Sequence, residues 1–335
     1  MASTHPPSST LPAAGLNGRI KQTLATGELS DVKFSVGRDF GLGYVQVFPA
    51  HKYIVCIRSA VFQAMFYGSV PETGPQVDIP DCMPEAFANM LSFMYTEAVE
   101  NLTVDNVIAT MRCADKYDVP QLTSKCAGFI TTHLNRDNCL TLLEQAIYWR
   151  VDDDIVETCL KKLEWESNAI LQSEQFTTIT QGTLKMILQR NRLCTPENAI
   201  YMAVERWTVE ACNRQVLEPS TANRRAVLGE ALFLVRFPLL TGAQLTAGPG
   251  KEGGRLLLDS ELLSIFLYQN GATSTPLPFR TDPREPVDLS HIKLPPIIEI
   301  NFPISVSDLW QQPSVQRAAK RPRKRRRPNR QVAWW

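Results

Sequence analysis

The chain has 335 residues, of which 44% are hydrophobic and 21% charged, and its formal net charge is +1 at pH 7. This length and hydrophobic content predict a soluble globular protein of ordinary size with two domains. No apolar run reaches the roughly 20 residues that cross a bilayer. The N-terminus lacks the pattern of a secretory signal, so we expect an intracellular protein without a membrane span.

The net charge conceals an asymmetry along the chain. Nine of the 35 basic residues lie between Arg317 and Arg330, and no acidic residue follows Arg317. The rest of the chain carries 26 basic and 34 acidic residues, a net charge of −8. An acidic body argues against a broad nucleic-acid-binding surface, so polyanion binding is expected only at the basic end.

The eight cysteines and four histidines are scattered, and no two cysteines form a C-x-x-C pair. A structural zinc site needs ligands clustered at short spacing, so we predict no metal site and no cofactor. In a reducing compartment the cysteines should be free thiols, most of them buried.

The chain begins with a stretch that is dominated by Ser, Thr, Pro and Ala, and residues 1–16 are predicted to be a disordered leader. Ile20 and Leu24, one helical turn apart, indicate a short amphipathic segment. Alternating apolar and polar residues at 31–36 and 44–48 predict a β-hairpin, and residues 76–79 predict a third strand.

From His51 onward, apolar residues recur three and four positions apart, which predicts helices packed on the sheet. Pro84 is expected in the first turn of one of them, and others should run over about 103–117 and 120–134. We therefore predict an α+β domain at residues 17–135.

Almost every segment between Asp137 and Gln269 has helical periodicity, which predicts an all-α second domain at residues 136–270. Its helices are expected at about 139–149, 155–167, 184–189, 197–211 and 223–232. Prolines recur without a sustained period after Asn270, so residues 271–335 are predicted to form a largely disordered, basic tail.

Several motifs in the first domain closely resemble the BTB (POZ) domain. They occur in the expected order at 31–37, 49–53, 58–68, 79–81, 93–96 and 114–117. The second domain resembles a BACK domain in its segments 173–176, 183–188, 223–225, 227–229 and 235–238, together with Trp207. The combination is similar to the BTB-BACK-PHR family, although the residues after Asn270 do not show the pattern of the β-rich PHR domain.

The resemblance implies a homodimer, or pairing with related BTB proteins, through the N-terminal helix and the first strand. Ile20 and Leu24 would then be buried between partners, and the open edge of the first strand would be paired. The alternative is that this segment packs on its own core. Asp31 and Lys52 match the charged pair that lines the dimer-interface pocket of BTB domains. A catalytic role for this pair is disfavoured because no nucleophile or metal cluster accompanies it.

The resemblance also implies binding to cullin-3 through a hydrophobic-x-Glu motif, which Val70-Pro71-Glu72 fits. The alternative to a binding motif is that these three residues simply form an acidic loop tip. Tyr95 and Tyr117 lie in segments that flank the cullin surface in the family, but each could equally be a core aromatic residue.

The C-terminal basic cluster resembles a nuclear localisation signal that an import receptor would bind; its alternatives are sequence-independent phosphate contact or a solvated charge run. The cluster comprises Lys320, Arg321, Arg323, Lys324, Arg325, Arg326 and Arg327. Trp334 and Trp335 could anchor a partner beyond it.

The function implied by the resemblance is that of a non-catalytic, dimeric substrate adaptor for a cullin-3 ubiquitin ligase, present in cytoplasm and nucleus. The ubiquitination substrate is unknown. The alternative is a BTB scaffold or nuclear regulator that pairs with full-length relatives without recruiting a cullin. We predict no enzymatic activity, because no constellation of residues supports one.

Overall fold

The computed structural model describes residues 15–40, 45–251, 255–272 and 276–285. All of them belong to one unit, Met1–Val287. Along the chain, a mixed α+β region is followed by a region built from helices, which confirms the predicted fold class. No helix in these ranges is long and apolar enough to cross a membrane.

A three-stranded sheet forms the centre of the first domain, with β1 (Val32–Val36) between β2 (Gln46–Ala50) and β3 (Gln76–Ile79). The β1–β2 pair is antiparallel, as expected of the hairpin, and β1–β3 is parallel. The prediction that the first strand has an open edge is therefore wrong. Strand β1 is hydrogen-bonded on both sides, and the sheet edges are β2 and β3.

The described residues of the first domain also form six helices: α1 (Leu16–Thr26), α2 (Lys52–Arg58), α3 (Ala60–Tyr67), α4 (Pro84–Thr96), α5 (Val107–Lys116) and α6 (Pro120–His133). Leu16 already lies in α1, so the predicted leader is too long at its end, and residues 1–14 lie outside the described part. Helix α5 begins at Val107, later than predicted, and in the turn before it the Asn106 side chain accepts the Thr103 N–H.

The core of the first domain is an aromatic cluster around Phe34 of β1. Its ring centre lies 5.2 Å from those of Phe62 and Phe87 and 6.2 Å from that of Phe66. Offset and edge-on ring pairs add to the free energy gained by burying these large apolar side chains. The alternating residues of β1 thus anchor the helices to one face of the sheet.

The second domain contains α7 (Cys139–Trp149), α8 (Asp153–Trp165), α9 (Ser167–Gln172), α10 (Gln181–Gln189), α11 (Glu197–Arg214), α12 (Thr221–Leu228), α13 (Gly242–Ala247) and α14 (Asp259–Gln269). Trp207 of α11 is buried, and its indole N–H donates to the Ile179 carbonyl at 2.9 Å. Helix α12 ends four residues earlier than predicted, where Gly229 adopts a positive φ of 52°.

Residues 276–285 pack against the second domain, so this part of the predicted tail is ordered by contacts. Phe279 is buried, with its ring centre 5.1 Å from that of Phe237. The fully buried Arg236 reaches the same segment, donating to the Asp282 carbonyl at 2.9 Å. Arg284 in turn donates to the Glu197 carboxylate at 2.8 Å. We call residues 276–285 the C-terminal strap.

Candidate interaction surfaces

The loop after α3 presents the predicted hydrophobic-x-Glu motif to solvent. Val70 is 89% exposed, and Pro71 and Glu72 are exposed as well. The Glu72 carboxylate makes no hydrogen bond or ion pair with any described residue. The exposed loop thus carries an apolar side chain, that of Val70, beside the Glu72 carboxylate, and both the partner-binding motif and the acidic loop tip remain possible descriptions of it.

Two backbone features hold this loop against α3. The Glu72 N–H donates to the Met65 carbonyl at 2.8 Å, which turns the chain back onto the helix. Gly68 caps the helix, and a Cβ atom there would lie 2.3 Å from the Ala64 carbonyl oxygen. Only glycine allows so close an approach without a shift of the backbone. The motif is thus presented in a defined geometry.

Tyr95 and Tyr117 are core residues, which corrects their assignment to the partner surface. Tyr95 is buried, and its hydroxyl accepts the His51 backbone N–H at 2.9 Å. Burial raises the pKa of Tyr95 to about 12. Tyr117 is 2% exposed and stacks on Phe62, with ring centres 4.5 Å apart. Burial also raises the pKa of Tyr117.

The two predicted dimer residues of α1 are half-buried in this chain. Ile20 and Leu24 pack against the hydrophobic core, and α1 lies against α4. No residue of α1 is fully buried, and Leu16 is largely exposed. The helix therefore partly covers its own core while leaving apolar surface for a partner.

Asp31 and Lys52 lie together, but they do not form an ion pair between their side chains. The Asp31 carboxylate accepts the Lys52 backbone N–H at 2.7 Å, at the start of α2. A carboxylate is stabilised there by the positive end of the helix. The Lys52 ammonium instead lies 4.9 Å from the centre of the Phe66 ring. The pair therefore stabilises the first turn of α2.

Helix α2 also exposes two large apolar side chains. Tyr53 is 73% exposed and Ile57 is 63% exposed. They lie four positions apart and therefore on one face of the helix. The sequence carries a signal for this exposed face, because apolar residues occur on both faces of the short helix. A single core can cover only one of those faces.

Two arginines of α12, Arg224 and Arg225, stabilise the second domain through contacts with other helices. Arg224 is buried and donates to the Thr208 hydroxyl at 2.9 Å. Arg225 donates from both terminal nitrogens to the Glu261 carboxylate, at 2.8 and 2.9 Å. Such a two-pronged contact joins α12 to α14 with a fixed geometry.

Among the described residues there is no group of side chains that could hold a metal ion. All eight cysteines are free, and six of them are buried. The basic cluster and the terminal tryptophans Trp334 and Trp335 lie outside the described residues, so the predictions made for them stay predictions.

Comparison with known proteins agrees with this architecture. Residues 20–134 match the model of the BTB/POZ domain, and residues 139–247 match the model described as BTB And C-terminal Kelch (BACK). The chain is 37% identical over 258 residues to BTB/POZ domain-containing protein 6-A of Danio rerio, covering 77% of this chain and 46% of the relative.

Two human proteins are similarly related. BTB/POZ domain-containing protein 6 is 36% identical over 251 residues, covering 75% of this chain and 45% of the relative. BTB/POZ domain-containing protein 3 is 35% identical over 257 residues, covering 77% of this chain and 48% of the relative. The chain thus spans about half the length of the curated relatives it matches. With both domain models matched in order, this chain belongs to the BTB-BACK family.

Proposed function

We propose that this chain is a non-catalytic, dimeric adaptor that brings target proteins to a cullin-3 ubiquitin ligase. Proteins with this pair of domains generally act as cullin-3 adaptors or as BTB scaffolds. The observation that carries the proposal is the exposed Val70-Pro71-Glu72 loop held in place against α3.

The loop has the chemistry of a small interaction centre. Val70 offers an apolar side chain that a partner can bury, and the exposed Tyr67 lies at the end of the adjoining helix. Glu72 offers a carboxylate that is not engaged within the described residues. Because the backbone is already fixed, little conformational entropy is lost on binding, which favours affinity.

An adaptor of this kind acts by proximity. Holding a target and the ligase in one assembly raises their effective concentration, while the chemistry of ubiquitin transfer lies in other subunits. Dimerisation would double the number of ligase contacts. The exposed face of α2, with Tyr53 and Ile57, and the half-covered α1 support such a self-pairing surface.

The test is binding of the purified protein to the N-terminal region of cullin-3, with the dimer mass followed by light scattering. Wild type is compared with the double variant Val70→Ala, Glu72→Ala. A matched control is available because Val216-Leu217-Glu218 repeats the same hydrophobic-x-Glu pattern in the second domain, with Val216 93% exposed.

We expect the Val70/Glu72 variant to remain dimeric and to lose most of its cullin-3 affinity, whereas Val216→Ala, Glu218→Ala should bind as wild type does. A folded wild-type dimer without cullin-3 affinity would refute the adaptor proposal. Equal losses in the two double variants would refute the proposed site.

The second candidate is a scaffold that pairs with related BTB proteins without a cullin. The exposed apolar face of α2 favours it, because this face could serve pairing whether or not the Val70 loop binds anything. Mixed dimers with BTB/POZ domain-containing protein 6, formed by a chain that does not bind cullin-3, would support this candidate over the first.

For localisation, we propose that the basic cluster near the C-terminus directs nuclear import in a protein otherwise present in the cytoplasm. Support comes from the sequence, which places nine basic residues after Asp308 and no acid among them. Replacing Lys324, Arg325, Arg326 and Arg327 by Gln in the full chain should shift it to the cytoplasm. Unchanged nuclear accumulation would contradict the proposal.

A further inference from the structure

A cleft of about 410 Å³ lies where α5 of the first domain faces the C-terminal end of α7 of the second. We call it the junction cleft. It opens to solvent, and its volume falls within the range of small-ligand pockets, about 300–1,000 Å³. The adaptor function proposed from the Val70 loop does not use it.

The junction cleft is cationic, although most of the chain is acidic. Arg112 and Lys116 of α5 line it together with Arg150, which follows α7, and the carboxylate among them is that of Asp81. Outside residues 317–330 the chain has 26 basic and 34 acidic residues, a net charge of −8, so the sign of the charge is reversed locally. A cleft lined by one sign of charge concentrates ligands of the other sign. The junction cleft therefore suits an anion.

Two of the three cations already have a carboxylate partner. Lys116 forms an ion pair with Asp81, and Arg112 pairs with Asp115 at 3.1 Å. The Arg150 side chain is exposed, and it makes no hydrogen bond or ion pair with any residue that the structure describes. A guanidinium carries five N–H donors in a planar fork that matches a carboxylate. The binding capacity left over in the cleft is thus that of Arg150.

The backbone of Arg150 adopts a conformation that is unfavourable for a residue with a side chain. Its φ of 51° and ψ of 49° lie in the left-handed region, and its N–H ends α7 by donating to the Ile147 carbonyl at 3.2 Å. Glycine is the usual residue at this position after a helix, because it adopts the conformation without steric cost. Strain of this kind is concentrated at functional sites. The strained residue and the unpaired cation of the cleft are one and the same.

The wall next to Arg150 is aromatic. Tyr148 is 74% exposed and Trp149 is half-buried, and their rings meet edge-on with centres 5.1 Å apart. Met83 and Ala109 add apolar surface to the lining. An exposed tyrosine beside an arginine is typical of protein-binding surfaces, because the ring offers contact area at a small cost in conformational entropy. The ligand should therefore carry an apolar group beside its anionic one.

We propose that the junction cleft binds an acidic peptide segment of a target protein, with a carboxylate on Arg150 and the neighbouring apolar side chain against Tyr148. One unpaired cation matches a single carboxylate, whereas a nucleic acid or a polyphosphate needs several. The proposal rests on the adaptor function for the role of the partner as a target. It names a target contact that is separate from the Val70 loop.

Two substitutions at Arg150 separate the charge from the strain. Arg150→Gly removes the guanidinium and relieves the left-handed backbone, so the variant should unfold at the same temperature as wild type or at a higher one. Arg150→Lys keeps the charge but loses the planar fork. Arg136→Gln is the matched control, because Arg136 is 61% exposed, pairs with Asp137 at 3.5 Å and does not line the cleft.

The probes are rhodamine-labelled peptides in which a phenylalanine is flanked by two glutamates, two glutamines or two lysines, and one in which glycine replaces the phenylalanine between glutamates. Fluorescence anisotropy with the full chain measures their affinities up to millimolar protein. We expect the glutamate–phenylalanine peptide to bind roughly tenfold more tightly than the glutamine and lysine peptides, as for one charged hydrogen-bonded contact. Tyr148→Ala should abolish its advantage over the glycine peptide.

The variants should divide in the same way. Arg150→Gly should bind the glutamate–phenylalanine peptide no better than wild type binds the glutamine peptide, Arg150→Lys should lie between, and Arg136→Gln should match wild type. Unchanged affinity in Arg150→Gly, equal affinities for the glutamate and glutamine peptides, or no binding at millimolar protein would overturn the proposal. Displacement of the peptide by sodium phosphate, but not by sodium chloride of equal ionic strength, would assign the cleft to small phosphate anions and overturn the peptide as its ligand.

Cullin-3 binding, measured on the same samples, keeps the two proposals distinguishable. Arg150→Gly should bind cullin-3 as wild type does, because Arg150 is not part of the Val70 loop. A wild-type chain that binds the acidic peptide but not cullin-3 would refute the adaptor function and leave the peptide site standing. A chain that binds cullin-3 but none of the peptides would refute the peptide site alone.

Discussion

The hydroxyl of Tyr95 lies 2.9 Å from the backbone nitrogen of His51 and 2.7 Å from its Nδ1 atom. The other ring nitrogen, Nε2, is 2.8 Å from the Glu28 carbonyl oxygen, which can only accept a hydrogen bond. A neutral His51 therefore carries its proton on Nε2, and Nδ1 accepts from the Tyr95 hydroxyl. One phenol thus links α4 to the start of α2 and, through the imidazole, to the chain after α1.

We expect Tyr95→Phe to lower the free energy of unfolding by about 1–3 kcal/mol, because it leaves partly buried groups of His51 without their partner. Urea unfolding followed by circular dichroism would measure this. Tyr148→Phe removes a hydroxyl from a tyrosine that is 74% exposed and should leave the midpoint unchanged. Equal effects of the two substitutions would contradict the role given to the Tyr95 hydroxyl.

Gly68→Ala should destabilise the first domain by roughly 1–3 kcal/mol and weaken cullin-3 binding, because the added Cβ would force the end of α3 and the Val70 loop to shift. Gly128→Ala is the control. An added Cβ at Gly128 has nothing within 4 Å, and its position in the middle of α6 should make alanine stabilising by up to about 1 kcal/mol. Thermal unfolding and cullin-3 binding would both be measured. If Gly68→Ala changed neither the stability nor the affinity, the loop would have to adjust freely to the added Cβ.

Phe279→Ala should destabilise the second domain by about 3 kcal/mol, since it removes a buried ring and loosens the strap that supplies partners to Arg236. Phe233 is 38% exposed, and Phe233→Ala should lower the free energy of unfolding by less than Phe279→Ala does. Hydrogen exchange at 280–285 should become faster only in the Phe279 variant. Unchanged exchange there would mean that the strap is held without this ring.

Asp81 forms an ion pair with Lys116, and the hydrogen bond from Lys116 lowers the pKa of Asp81 below its ordinary 3.8. A carboxyl group whose pKa is lower in the folded state stabilises the fold above its ordinary pKa. That contribution is lost as the pH falls through the lowered value. Asp81→Asn should therefore be less stable than wild type at pH 7, by under about 1 kcal/mol because the pair is partly exposed.

The difference between wild type and Asp81→Asn should shrink as the pH falls below 3.8. In a Lys116→Gln background the Asp81 substitution should have little further effect at any pH. Urea unfolding at a series of pH values would measure both. A difference that grows toward acid pH would mean that the sign of the shift is wrong.

Local patterns were sufficient for most of the elements. The bounds of α7, Cys139–Trp149, coincide with the prediction, and the stretch at 76–79 is a strand as expected. Pro84 occupies the first turn of α4, where a missing N–H costs nothing. These features depend on periodicity and on residues near one another in the chain, which a sequence displays directly.

The candidate site was predictable only in part. The Val70-Pro71-Glu72 loop is exposed, as a partner-binding motif must be, and its role stays a prediction. Tyr95 and Tyr117 could not be assigned in the same way, because an aromatic residue in a helical pattern suits a core and a surface equally well. Only their tertiary contacts, the bond of Tyr95 to His51 and the stacking of Tyr117 on Phe62, show that both are buried.

The sequence by itself thus determined the two domains, their order and most of their helices, because hydrophobic periodicity and turn residues act over short distances. The tertiary structure decided that β1 lies between two strands and that Ile57 faces outward. It also decided that residues 276–285 pack against Phe237 and accept a hydrogen bond from Arg236. Those outcomes depend on contacts between distant segments, whose free energy no local pattern encodes.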